Sequence, residues 1–144
     1  KAVWGIVVQF PFYAGILGLF KYTLLSTVFT NAFVAISTPQ TFPLWLYWYG
    51  GLLNYLIPSG GGQFAVEAPY ILPAAKALGI GPGTTVVTFA WSDMMTDMIQ
   101  PFWAIAMLAV AKLHFRDIMG WLLMVFFVYF IITSLAFLFF IPNW

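Results

Sequence analysis

The chain has no cysteine and a single histidine among its 144 residues. Disulfides, thiolate metal sites and thiol redox chemistry are therefore excluded, and one histidine with four acids is a poor basis for a zinc centre. Charge is almost as scarce. Asp, Glu, Lys and Arg together make up 6% of the chain, and a net charge of +1 gives no electrostatic case for nucleic acid. No nucleophile–base pair or hydrolase motif stands in the sequence, so neither a catalytic residue nor a cofactor is expected. What abounds is apolar (63%) and aromatic (21%), a composition that points to a helical membrane protein.

Residues 2–20 read as a spanning helix, since about 19 apolar residues cross the hydrocarbon core, and Pro11 predicts a kink. No small-residue cleavage pattern follows Phe20-Lys21, which argues against a signal peptide. In 21–36, Thr23, Ser26, Thr27, Thr30 and Asn31 oppose Leu24, Leu25, Val28, Phe29, Ala32 and Phe33. Such a two-faced helix with little charge suits the membrane interface or, alternatively, a polar-lined position inside a bundle.

Residues 38–78 are apolar but carry Pro39, Pro43, Gly50, Gly51 and Asn54. Pro58-Ser59-Gly60-Gly61-Gly62-Gln63 follows, and Pro69 and Pro73 are expected to break the arm beyond it. Two interrupted arms around a glycine tip predict a re-entrant hairpin, with an ordinary loop between two crossings as the alternative. Trp45, Tyr47, Trp48 and Tyr49 suit a headgroup-level belt or a protein contact. A broken transmembrane helix is expected over 85–111 and a final span over 118–141, joined by a hydrophilic loop in which His114 is solvated. Because the chain begins at Lys1 inside an apolar run, it reads as the C-terminal part of a larger protein. Lys1, Lys112 and Arg116 on one side against Lys21 and Lys76 on the other put the 112–117 loop in the cytoplasm, the hairpin entry outside and Trp144 outside.

Two polar elements interrupt this apolar background. A helix starting near Gly62 would offer free N–H groups and its positive dipole end at Ser59, Gly60, Gly61 and Gly62, a cradle for a carboxylate. Asp93, Thr96, Asp97 and Gln100 fall within about 100° of helical arc, away from Met94, Met95, Met98 and Ile99. Carboxylates at bilayer depth are costly and mark ion or substrate paths. Pro101 has no N–H, so the Asp97 carbonyl is expected to be free. With the Asp93 and Asp97 carboxylates it would form a hard-oxygen site for sodium, or the acids could carry protons instead. A seam that merely joins helices by hydrogen bonds is the bland alternative. Glu67, about one turn past the cradle, is protonated, faces the cation site, or faces Lys76.

Several segments resemble the C-terminal part of the bacterial short-chain fatty acid transporter family. They are Gln9-Phe10-Pro11-Phe12-Tyr13-Ala14-Gly15, Thr38-Pro39-Gln40-Thr41-Phe42-Pro43, Pro58–Gln63 with Pro69 and Pro73-Ala74-Ala75, Asp97-Met98-Ile99-Gln100-Pro101-Phe102-Trp103 and Arg116-Asp117-Ile118-Met119-Gly120. The resemblance covers nearly the whole chain. It implies a multi-pass protein of the bacterial inner membrane that takes up butyrate- or acetoacetate-like monocarboxylates. More distantly, the order of hairpin, broken helix and final span is similar to half of an inverted-repeat carrier of the ion-transporter superfamily. That likeness implies a missing N-terminal half and a homodimer.

By this analogy Ser59–Gln63 is a hairpin tip and Ser92–Pro101 a helix break. The substrate would meet Ser59, Gly60, Gly61, Gly62 and Gln63, with Phe64, Trp91, Phe102 and Trp103 walling its tail. Asp93, Thr96, Asp97, Gln100 and Glu67 would handle the cation, sodium sitting at Asp93 and Asp97. The chain carries acids, Glu67 and Asp97, where the family pattern has amides, which leaves the coupling ion open. A carrier of the same architecture for dicarboxylates or aminobenzoyl-glutamate-like substrates, and a non-transporting membrane subunit, are the competing readings.

Overall fold

The computed structural model describes residues 2–140, without the side chains of 2–6, 9–10 and 105–106. Lys1, the last residue of the 118–141 span and Trp144, all used in the expected topology, lie outside the described residues. Seven helices and no strand make up the described chain: α1 (Ala2–Tyr22), α2 (Leu25–Ile36), α3 (Phe42–Leu56), α4 (Gly60–Ala77), α5 (Pro82–Asp97), α6 (Pro101–Ala111) and α7 (Phe115–Phe139). By length and apolarity α7 can cross a membrane alone. The pair Pro11–Tyr22 and Leu25–Ile36 passes the same test only together, bent by 77°.

Local chemistry explains where the helices start and stop. Pro11 lies inside α1 without ending it. The α1–α2 bend is held by Thr23, whose Oγ1 donates to the Leu19 carbonyl at 2.6 Å and accepts from the Leu25 N–H at 3.1 Å. Thr38 and Thr41 exchange backbone-to-hydroxyl bonds of 2.9 and 3.2 Å ahead of α3. α4 ends at Gly79, whose φ of +75° favours glycine, and Pro82 opens α5 at a position where no N–H is needed. Gln100, pushed to extended backbone by the proline after it, separates α5 from α6.

One expected break is absent. Pro69 and Pro73 both lie within an uninterrupted α4. Each proline removes a backbone bond, but Tyr70, Ile71, Ala74 and Ala75 are fully or nearly fully buried on either side of Pro73. Packing against α2 and α1 holds the helix through the lost bonds.

Two clusters form the core. Phe20, Phe29, Phe33, Tyr49 and Tyr70 join α1, α2, α3 and α4, with ring centroids 4.8–6.3 Å apart. The Tyr49 and Tyr70 hydroxyls meet at 2.8 Å, and Thr30 Oγ1 donates to the Tyr70 carbonyl at 3.2 Å. Tyr47, Met95 and Phe137 tie α3 and α5 to α7. The aromatic run in α3 is thus divided. Tyr47 and Tyr49 are packed inside, whereas Trp45 and Trp48 stay partly exposed, Trp48 stacking on Phe130 and donating to Ser134 Oγ of α7 at 3.0 Å.

The closest helix pair is α3 with α5, and two glycines permit it. A Cβ at Gly50 would overlap Ser92 Oγ, and one at Gly51 would overlap Met95 Cε and lie 3.3 Å from the Ser92 carbonyl. Small residues at a helix crossing let backbones approach this way. Gly51→Ala is expected to cost about 1–3 kcal/mol of stability through overpacking. Gly120→Ala, where an added Cβ meets nothing, is expected to hold or slightly raise the unfolding midpoint. Thermal unfolding of the purified protein in detergent reads the difference.

Candidate functional site

The turn between α3 and α4 is short and capped at both ends. Ile57 N–H closes α3 on the Leu53 carbonyl at 2.8 Å. Ser59, in extended conformation, caps α4: its Oγ accepts from the Gly62 N–H at 3.3 Å, and its carbonyl accepts from the Gln63 N–H at 2.7 Å. α4 therefore begins at Gly60 rather than near Gly62, because a serine N-cap stabilises the earlier start. The glycines form its first turn. Gly60 and Gly61 present the N–H groups that a helix start leaves without acceptors.

Asp93 stands directly against this turn. A Cβ built on Gly60 would lie 2.8 Å from Asp93 Oδ2 and 3.4 Å from Oδ1, so only glycine lets the acid approach. Asn54 of α3 fixes the same region of α5, its Nδ2 donating to the Asp93 carbonyl and, at 3.1 Å, to Asp97 Oδ1. Thr96 Oγ1 donates to the Gly51 carbonyl at 2.9 Å, and Gln100 Nε2 to the Tyr55 carbonyl at 3.0 Å. Asp93, Asp97, Thr96 and Gln100 therefore all engage α3 or the α4 turn. The Asp97 carbonyl is not free as expected, because the reversal at the break brings the Gln100 N–H to it at 3.3 Å.

Glu67 and Gln63 lie deeper along α4, both fully buried. Gln63 Nε2 donates to the Gly50 carbonyl at 2.7 Å and to Glu67 Oε1 at 2.6 Å. Glu67 faces this network through its bond to Gln63. Lys76 is exposed and Glu67 is bonded to Gln63 instead, so of the three alternatives for Glu67 the one that turns it towards Lys76 is not adopted.

The aromatic residues expected to wall a substrate tail are dispersed. Phe64 packs on Phe89 with centroids 5.0 Å apart, Trp91 stacks on Tyr129 of α7 at 6.0 Å, and Phe102 meets its neighbour Trp103 at 5.2 Å. The groove beside the turn has a volume of about 350 Å³ and lies instead between α1 and α4, lined by Tyr13, Ala14, Leu17, Ser59, Gly61 and Gly62. Sequence reasoning left out Tyr13, Asn54, Gly50, Gly51 and Ser92 as site residues. A glycine pair followed by a lone asparagine in an apolar helix was the available signal for three of them.

Comparison with known proteins adds a family to this geometry. The family described as short chain fatty acid transporter matches residues 1–140. A protein of Escherichia coli strain K12 named as a short-chain fatty acid transporter is 42% identical over 117 residues, 81% of this chain and 27% of the relative. One of the same name in Haemophilus influenzae is 39% identical over 116 residues, 81% of this chain and 26% of the relative. A third, from Escherichia coli and named as a basic amino acid antiporter, is 30% identical over 71 residues, 48% of this chain and 14% of the relative. The chain spans about a quarter of the length of the first two of these relatives. No solved structure matches. On the extent of these matches, the chain belongs to the short-chain fatty acid transporter family.

Proposed function

We propose that the chain forms part of one half of a secondary carrier that takes up short-chain carboxylates, butyrate and acetoacetate among them, together with a cation. One observation carries the reading: the start of α4 and the carboxylate of Asp93 meet at Gly60, where no larger residue fits between them. A helix start attracts an anion, and a carboxylate beside it repels one. Two unit negative charges about 4 Å apart oppose each other by about 4 kcal/mol at an effective dielectric constant of about 20. A carboxylate substrate therefore needs a cation beside Asp93, and a cation there binds better with the substrate present. By linkage each raises the affinity of the other equally, which is coupled transport in its simplest thermodynamic form.

In this reading α3 and α4 are the arms of a re-entrant hairpin, tied together by Gln63 to Gly50 and Tyr49 to Tyr70. α5 and α6 are a spanning helix broken at 98–100. Ser59, Gly60, Gly61 and Gly62 hold the substrate carboxylate, with Gln63 and Phe64 next to them. Trp91, Phe102 and Trp103 reach an acyl tail only if the two bundle arrangements of transport bring them inward. Asp93, Thr96, Asp97, Gln100 and Glu67 serve the cation. A second, inverted half completes the pocket, and the assembled multi-pass protein, a homodimer, sits in the bacterial inner membrane. Transport proceeds by differential binding in two arrangements, with no covalent step.

The direct test is uptake of labelled butyrate into proteoliposomes holding the full-length protein, under an imposed sodium or proton gradient. Gradient-driven uptake is expected, and its absence for every short carboxylate would overturn the proposal. In the same assay Gly60→Ala, which pushes the Asp93 carboxylate off the turn, is expected to raise the KM for butyrate about tenfold, within the usual range of coupling between linked sites. Asp97→Ala is expected to abolish the dependence on the gradient. Unaltered dependence would remove Asp97 from the cation path.

A further inference from the structure

Gly60 and Gly62 face opposite ways from the first turn of α4, because residues two apart on a helix point to different sides. Gly60 meets Asp93, whereas Gly62 meets α1, where an added Cβ would lie 3.3 Å from Tyr13 Cδ2. On this second side a groove of about 350 Å³ opens between α1 and α4. Its α4 wall is Gly61, Gly62 and Ala65, and its α1 wall is Tyr13, Ala14 and Leu17, each set sharing one helical face. The small residues of α4 create the space, since a Cβ built on Gly61 would meet nothing within 4 Å. The two helices run side by side in the same direction. Tyr13 stands opposite Gly62, and further along Phe20 packs on Tyr70 with ring centroids 4.8 Å apart. Both of these rings are buried, and they close the helix pair about one turn beyond Leu17 and Ala65.

The two ends of the groove differ in chemistry. At the start of α4, Gly60 and Gly61 present N–H groups without helical acceptors. Ser59 lines the groove there, and its Oγ, which accepts from the Gly62 N–H, keeps its own proton to donate. Towards Leu17 and Ala65 the lining is hydrocarbon. Donors at one end and an apolar wall at the other match a molecule with one anionic head and a short tail. A lipid chain would set methylenes against the N–H groups, and a dicarboxylate would bury its second charge beside Leu17 at a high cost. Length is limited too. Gly61 and Ala65 are about 6 Å apart along the helix axis, and three staggered C–C bonds of about 1.5 Å reach about 4 Å. A three-carbon tail therefore ends beside Leu17 and Ala65, and a much longer one meets the Phe20–Tyr70 contact.

We infer that Tyr13, Ala14, Leu17 and Ala65 receive the acyl tail of the transported carboxylate and set the chain length it accepts. The inference rests on the carrier reading for the head-group site at Ser59–Gly62, and it makes α1 the wall for the tail. The tail then leaves the turn on the side opposite Asp93, so it does not compete with a cation for the space beside that acid. One methylene more or less in an apolar pocket alters selectivity about tenfold or more, which makes single substitutions on this wall readable.

The test reads chain length in two ways on the full-length protein. Uptake of labelled acetate, butyrate and hexanoate is measured in proteoliposomes, and binding of the acids from acetate to octanoate is measured in detergent as the rise in unfolding midpoint. Ala65→Leu, which fills the groove beside Leu17, is expected to raise the KM for butyrate about tenfold more than that for acetate. Leu17→Ala, which lengthens the groove, is expected to shift the preference about tenfold from butyrate towards hexanoate. A fault in the fold would weaken all acids alike and would not alter these ratios. Butyrate uptake with a chain-length profile that neither variant moves would overturn the groove and leave the carrier standing; a groove filled by lipid or by another segment of the longer chain would give that result. Binding whose chain-length profile responds to both variants, in a protein that takes up no carboxylate, would uphold the groove and defeat the carrier reading. Neither uptake nor binding of any acid would overturn both.

Discussion

The contact of α3 with α5 across Gly50 and Gly51 governs the arrangement of everything polar in this chain. With no Cβ on either residue, the α3 backbone comes close enough for α5 side chains to reach its carbonyls. Thr96 bonds to Gly51, and Gln100 to Tyr55. Asn54 returns the contact from the α3 side. A wider gap would leave these groups facing apolar surroundings, where an unpaired polar group costs about 1–3 kcal/mol. The fit between backbones and the satisfaction of polar side chains are therefore one constraint.

That constraint also sets the electrostatics. Glu67, Asp93 and Asp97 stand on the facing helices α4 and α5 with no basic residue bonded to any of them among the described residues. A soluble protein would spread such charges over its surface. Here Asp97 and Glu67 accept from the amides of Asn54 and Gln63, and Asp93 lies against the start of α4. The outer face of α7, with Val125, Val128, Ile131, Ile132 and Leu135 all exposed, is by contrast uniformly apolar and suits lipid.

Part of this was legible in the residues. Pro101 explains the end of α5, since the residue before a proline is driven out of helical backbone. Ser59 followed by three glycines reads as a helix start, although its position shifts because the serine caps at once. The stripe of Asp93, Thr96, Asp97 and Gln100 follows from helical period. Other features were not legible. Pro69 and Pro73 read as breaks, yet burial of Tyr70, Ile71, Ala74 and Ala75 carries α4 through them. Trp91, Phe102 and Trp103 read as neighbours of one site, yet Trp91 stacks on Tyr129 of α7 while Phe102 and Trp103 meet each other.

Composition and period alone were enough to say that the chain is helical, apolar and furnished with a stripe of acids on one helix, because burial preference and the 3.6-residue repeat are local properties. They could not say that Asn54 would bridge two aspartates, that Gln63 would bond across the hairpin to Gly50, or that Gly60 would lie against Asp93. Those pairs are 13 to 43 residues apart or join different helices. Contacts at that separation exist only once helices have packed.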